Sequence, residues 1–225
     1  MTKVELLSHT PAPERTIASA ARLCYSSLDG DQLYKGLSDK EVVKLVKKLR
    51  EMGHLSTFEH ASFTFSIAGV SRVLTHQLVR HRIASYSQRS QRYVNEKNFE
   101  YVTPKSIEKN EKALAIYNDF LQQAKDTYRT LSEIVPQEDA RYVLPNATET
   151  KIIVTMNARS LLHFFEVRCC TRAQLEIRTL ANKMLELVKE VAPTVFSIAG
   201  PTCVTKGVCN EGDLSCGRIK EFENK

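Results

Sequence analysis

The 225-residue sequence contains no tryptophan, so stacking on any planar ligand cannot depend on an indole. It has no run approaching the ~18 apolar residues that a membrane-spanning helix needs. The first residues, MTKVELLSHTPAPERT, carry Glu5 early and have no long apolar core, which argues against a secretory signal. A cytoplasmic location is therefore expected, with no membrane partner, and the six cysteines there should be mostly reduced. There is no internal repeat and no low-complexity linker. The glycine-rich fingerprint G-x-G-x-x-G is missing, as are C-x-x-C and H-E-x-x-H. Spacings of the RRM or C₂H₂ type that read nucleic-acid bases are also missing.

What remains is an ordinary globular mix, 42% hydrophobic and 26% charged, which excludes wholesale disorder. The length suits one substantial domain. A net charge of +6 and a pI near 9.0 suit an anionic partner, although a merely soluble basic surface explains so modest a charge equally well. Pro11 and Pro13 close a short leading strand, and a helix follows over 14–24. Val42, Val43, Leu45, Val46 and Leu49 have helical spacing and predict a helix over 39–52, stopped by Gly53. Alternation in Phe63-Thr64-Phe65-Ser66-Ile67 predicts a half-buried strand ended by Gly69. Ser71 is placed to cap the next helix, which runs towards His81. A long helix is expected over 106–134, with Pro136 as its stop, then a strand over 152–156 and helices over 158–168 and 173–191. The fold expected is α+β, a single domain over 1–225 with an antiparallel or mixed sheet packed against long helices. The tail from about Gly200 should be less regular.

The densest chemistry lies in Arg80-His81-Arg82-Ile83-Ala84-Ser85-Tyr86-Ser87-Gln88-Arg89-Ser90-Gln91-Arg92-Tyr93, with four arginines, a histidine and three serines in fourteen residues. Arginine offers a planar fork of donors suited to phosphate, and serine hydroxyls add short donors beside it. Gln77 precedes Arg80 and His81 by three and four residues, a spacing that places all three on one helix face. A solvated basic helix end accounts for Arg80 and Arg82. It does not account for Ser85, Ser87, Arg89, Ser90 and Arg92, so a phosphate site is the better reading.

Arg80-His81-Arg82, seven residues and then Ser90 resembles the R-H-R-x7-S signature of flavin-dependent thymidylate synthases. Ser85, Arg92 and Tyr93 match its extended form. The opening VELLSHTPAPERTIASAARLCYSS, the segment GHLSTFEH at 53–60, RYVLP at 141–145 and NARSL at 157–161 also resemble that family, as do Arg168 and Ala173-Gln174. The resemblance implies an α+β homotetramer with active sites shared between subunits. It implies methylation of dUMP to dTMP, with methylenetetrahydrofolate as carbon donor, NADPH as reductant and FAD as hydride relay. By matching positions, Ser56, Glu59, Arg80, His81, Arg82, Ile83, Asn157 and His163 would hold FAD. Gln77, Arg80, Gln88, Ser90, Arg92, Arg141 and Arg168 would hold dUMP, with Ser90 and Arg92 near its phosphate. Arg168 is the candidate catalytic residue, stabilising charge that develops on the uracil ring. Ser87 and Gln88 depart from the extended pattern, which often has Asn and an acid there, and His163 stands where some members have Asn.

A module binding RNA or DNA through the same basic loop is the rival reading; it would lose affinity steeply with salt on a long polyanion. His54 and His60 fit a cofactor lining, with structural histidines as the alternative. For Phe164, Phe165 and Cys169-Cys170, packing is the default. Tyr86 and Tyr93 suit ring stacking and core packing equally. Cys203, Cys209 and Cys216 hint at metal or redox chemistry, but no fourth ligand is evident and no bound metal is expected.

Overall fold

The computed structural model describes residues 2–219. The expected leading strand is β1 (Lys3–His9). Pro13 does not close it but opens α1 (Pro13–Leu23), where a missing N–H is no loss. A short helix that periodicity does not reveal follows, α2 (Gly30–Gly36), held at its start by reciprocal bonds between Asp29 and Gln32. Ser38 and Glu41 make the same capping box on α3 (Asp39–Glu51). A 3-10 turn at Ser56–His60 leads into β2 (Ser62–Ser71). β2 runs past the expected stop, because Gly69 adopts φ 69° within the strand instead of ending it.

Ser71 caps α4 (Arg72–Leu78) as expected, its hydroxyl accepting from Leu74 N–H at 3.1 Å. Ser85–Gln88, expected as loop, is β3. The expected long helix is split by Asn110 into α5 (Lys105–Glu108) and α6 (Glu111–Ile134); the Asn110 side chain caps α6 at Ala113 N–H. After α7 (Gln137–Ala140) and a 3-10 turn at Arg141–Val143 come β4 (Glu149–Asn157), α8 (Ala158–Arg168) and α9 (Leu175–Val191). α10 (Pro193–Phe196), α11 (Thr202–Thr205) and a 3-10 turn at Gly212–Leu214 complete the order. The tail is irregular around these short pieces; its last residues, 220–225, lie outside the described residues. The four strands form one antiparallel sheet in the order β1-β2-β4-β3, which is the α+β class expected.

Two compact units divide the chain. Among the described residues, one comprises 2–3, Ile67–Arg80 and Tyr86–Ile153; the other comprises Val4–Ser66, His81–Ser85 and 154–219. In the first, Phe99 forms a buried cluster with Leu121 and Ala124 of α6, flanked by Tyr101, Tyr117, Leu144 and Ala147. Tyr128 is also fully buried, and its hydroxyl meets the N–H of Glu96 at 3.3 Å.

In the second, Phe63 and Phe65 of β2 and Val154 and Met156 of β4 point inward. Thr64 and Thr155 lie on the other face of these strands, joined through their hydroxyls at 2.9 Å. A relay of edge-on rings runs Phe63–Phe196–Phe165–Phe164, with centroids 5.5, 5.9 and 5.7 Å apart. All four rings are fully buried, so each stabilises the core by about 1.5–3 kcal/mol. α9 closes this core with Ile177, Leu180, Met184 and Val188. α10 is pinned from both sides. The Glu14 carboxylate accepts from the N–H groups of Thr194 and Val195, and Arg50 donates to Thr194 O at 2.8 Å and Ser197 Oγ at 3.0 Å.

Candidate active site

The residues expected around a flavin lie mostly in the second unit. The ring relay ends on His81, whose imidazole stands edge-on to Phe164 at 5.0 Å and to His163 at 5.9 Å. His81 belongs to an irregular segment, so the packed Phe164 ring positions it rather than a helix or strand. Burial, then the charge of Arg168, then that of His163, depress its pKa from 6.5 to about 4. His81 is therefore neutral at physiological pH. Its Nε2 accepts from Arg168 Nε at 3.1 Å, which leaves the ring proton on Nδ1. Arg168 sits at the last turn of α8, where a cation is stabilised by the negative end of the helix dipole. The neutral imidazole turns the guanidinium without cancelling its charge.

Asn157 begins α8. Its side-chain oxygen accepts from Ser160 N–H at 2.8 Å, so the residue has a structural role beside any ligand contact. Glu59 is exposed and paired with Arg159 at 2.6 Å. Ser56, Arg82 and His163 are exposed, and Ile83 is 75% exposed beside Arg82. His54 and His60 are exposed too. Cys169 is buried and its thiol is pushed up to about 12, so it stays protonated and its role is packing.

The residues expected around a nucleotide lie in the first unit, Arg168 excepted. Here the structure corrects the helix-face reading. α4 ends at Leu78, and Val79 and Arg80 form a turn, so Gln77 and Arg80 do not share a continuous helix face with His81. Gln77 is half-buried on α4 and Arg80 is exposed beyond it. Gln88 directs its amide nitrogen to Thr75 Oγ1 at 3.0 Å and Thr150 Oγ1 at 3.3 Å, which anchors β3. Tyr86 gives its hydroxyl to Leu78 O at 2.9 Å, whereas Tyr93 is 80% exposed under the Arg92 guanidinium.

Ser90 Oγ accepts the N–H of Arg92 at 3.2 Å, a turn that presents both side chains from one loop. Arg92 is half-exposed and paired with Glu138, Nη2 to Oε2 at 2.8 Å. Arg141 Nε donates to the backbone oxygen of the same Glu138 at 3.1 Å. Glu138 thus gathers two of the expected nucleotide arginines, and nothing in the basic loop's own sequence signals it. Arg89 belongs to the basic stretch but not to a phosphate site. Its guanidinium meets the buried Glu96 at 3.2 Å and Glu149 O at 2.9 Å. Burial raises the Glu96 carboxyl, against the charges of Arg89 and Arg72.

A profile of the family described as "Thymidylate synthase complementing protein" matches residues 5–194. The chain is 56% identical over 224 residues to the flavin-dependent thymidylate synthase of Geobacter sulfurreducens, covering 98% of this chain and 96% of that one. It is 50% identical to the protein of that name from Clostridium tetani, over 98% and 95% of the two chains. For the Pyrococcus furiosus protein of that name the identity is 44%, over 95% and 91%.

Proposed function

The chain belongs to the flavin-dependent thymidylate synthase family, and from that premise we propose how its own residues divide the work of making dTMP from dUMP. Methylenetetrahydrofolate would be the carbon donor and NADPH the reductant, and FAD, when bound, would supply the hydride-transfer chemistry. The Arg168–His81 pair carries the reading. A charged guanidinium held by a neutral acceptor, at 3.1 Å, is prepared to stabilise negative charge on a uracil ring. Arg168 is assigned that role.

Ser56, Glu59, Arg80, His81, Arg82, Ile83, Asn157 and His163 are assigned to FAD. Arg82, Ser56 and Arg80 suit its phosphates, and Ile83 and His163 suit the ring. Gln77, Arg80, Gln88, Ser90, Arg92 and Arg141 are assigned to dUMP. Arg92 must exchange Glu138 for phosphate, a cheap step because exposed ion pairs are worth ~0–1 kcal/mol. Gln88 already uses its amide nitrogen internally, which leaves its oxygen for the nucleotide. The chain acts as one catalytic domain over 1–225, as a cytoplasmic homotetramer whose sites draw on several subunits.

No described helix is long and apolar enough to cross a membrane. The assay is direct: the purified protein should be yellow and should form dTMP from dUMP, methylenetetrahydrofolate and NADPH. A colourless protein that also fails to take up added FAD would overturn the reading. So would tight, salt-sensitive binding of oligonucleotides with no preference for dUMP.

A further inference from the structure

The tail cysteines acquire a fourth companion in the folded chain. Cys203, Cys209 and Cys216 lie beyond the family match, which ends at residue 194. Together with Cys170, which follows α8, they line one cavity of about 180 Å³. All four are free thiols. Cys203 is buried, Cys170 and Cys209 are half-buried and Cys216 is exposed, so the cavity opens from core to solvent.

The tail is built to hold this arrangement. Gly207, Gly212 and Gly217 adopt φ of 66°, 51° and 77°, left-handed values that let the chain turn sharply between and after the cysteines. Lys206 reaches Glu166 at 3.4 Å, and Arg172 reaches Glu211 at 4.0 Å. These pairs tie the tail to α8 and to the segment after it.

We propose that Cys170, Cys203, Cys209 and Cys216 form a binding site for one soft divalent metal ion of the zinc class. Four thiolates are one of the closed donor sets that hold such an ion, and hard cations prefer oxygen. Among the described residues no three His, Cys, Asp or Glu donors stand together closely enough to grip an ion. Binding therefore requires the thiols to turn inward, and the cavity provides the room. Each thiol gives up its proton as its bond to the metal forms. None of the residues lining the cavity is among those assigned to flavin or nucleotide, so its occupancy would fasten the tail to α8 rather than take part in turnover.

The test uses the full chain, purified with reductant. Elemental analysis should find one equivalent of zinc, or a metal-stripped sample should take up one equivalent of added Zn²⁺. Co²⁺ in its place should give thiolate-to-metal charge-transfer absorption and the visible bands of a tetrahedral ion. Cys216→Ser alters an exposed residue and should weaken binding by at least ~10-fold, the lower end of what even an outer ligand partner contributes. Cys24→Ser, at an exposed thiol outside the cavity, should leave binding unchanged. Absence of uptake, cobalt spectra without thiolate bands, or unaltered affinity in Cys216→Ser would each overturn the proposal. Disulfides among these cysteines in a chain that takes up no metal after reduction would overturn it too, in favour of a redox role.

Discussion

At the scale of single residues, neutrality at His81 and charge at Arg168 work as a pair. Arg168→Ala should lower dTMP formation by at least ~10²-fold while the flavin absorbance of the protein persists; unchanged turnover would remove Arg168 from its role. His81 also makes stability depend on pH. Its folded pKa, about 4, lies below its ordinary 6.5, so the unfolded chain binds more protons across that interval and stability rises with pH there. The contribution is complete above about 6.5 and is lost as pH falls through about 4. Thermal midpoints measured over that range should therefore fall more steeply for the native sequence than for His81→Gln. Equal slopes would mean that Phe164, His163 and Arg168 do not enforce the neutral ring. In the other unit, Glu138 competes with phosphate for Arg92. Arg92→Ala should raise the dUMP dissociation constant by roughly 10–100-fold, the worth of a hydrogen bond to a charged group. Glu138→Gln should lower it by up to about fivefold by releasing the exposed pair.

At the scale of elements, α8 carries the most consequence. Its bounds, Ala158–Arg168, are legible in the sequence because Asn157 is a strong cap and the following residues are helix formers. The same cap complicates the assignment of Asn157 to flavin. Asn157→Ala should lower stability by ~1 kcal/mol, whereas Asn157→Ser retains a capping oxygen. A flavin affinity lost in Asn157→Ala and restored in Asn157→Ser would show that the residue acts through the helix. Loss in both would show direct contact. β3 and α2 were not legible for a common reason. Ser-Tyr-Ser-Gln has too little apolar alternation to signal a strand, and its pairing is supplied by β4. α2 is only a 7-residue helix whose first and last residues are glycines, too short for periodicity to emerge. The split before α6 was written in Asn110, a capping residue that long helical periodicity overrode.

At the scale of the whole molecule, the assignment of dUMP and FAD to shared sites requires several copies of the chain. Light scattering on the purified protein should give the mass of a tetramer, and a monomer with full activity would remove the shared-site reading. Pattern alone determined the α+β class, the strands around residues 63–67 and 152–156, the main helices and the family. These follow from short-range periodicity, caps and ordered motifs, all local along the chain. Only the tertiary structure showed that Arg89 serves the buried Glu96 while Arg92 meets Glu138, because like residues in one basic stretch differ in the burial and partners that packing gives them. It also set the neutral charge state of His81, since burial and the approach of Arg168 are properties of packing. The placing of Cys170 beside the same cavity as the tail cysteines has the same origin: spacing counts residues along the chain, whereas a cavity's lining is set by packing.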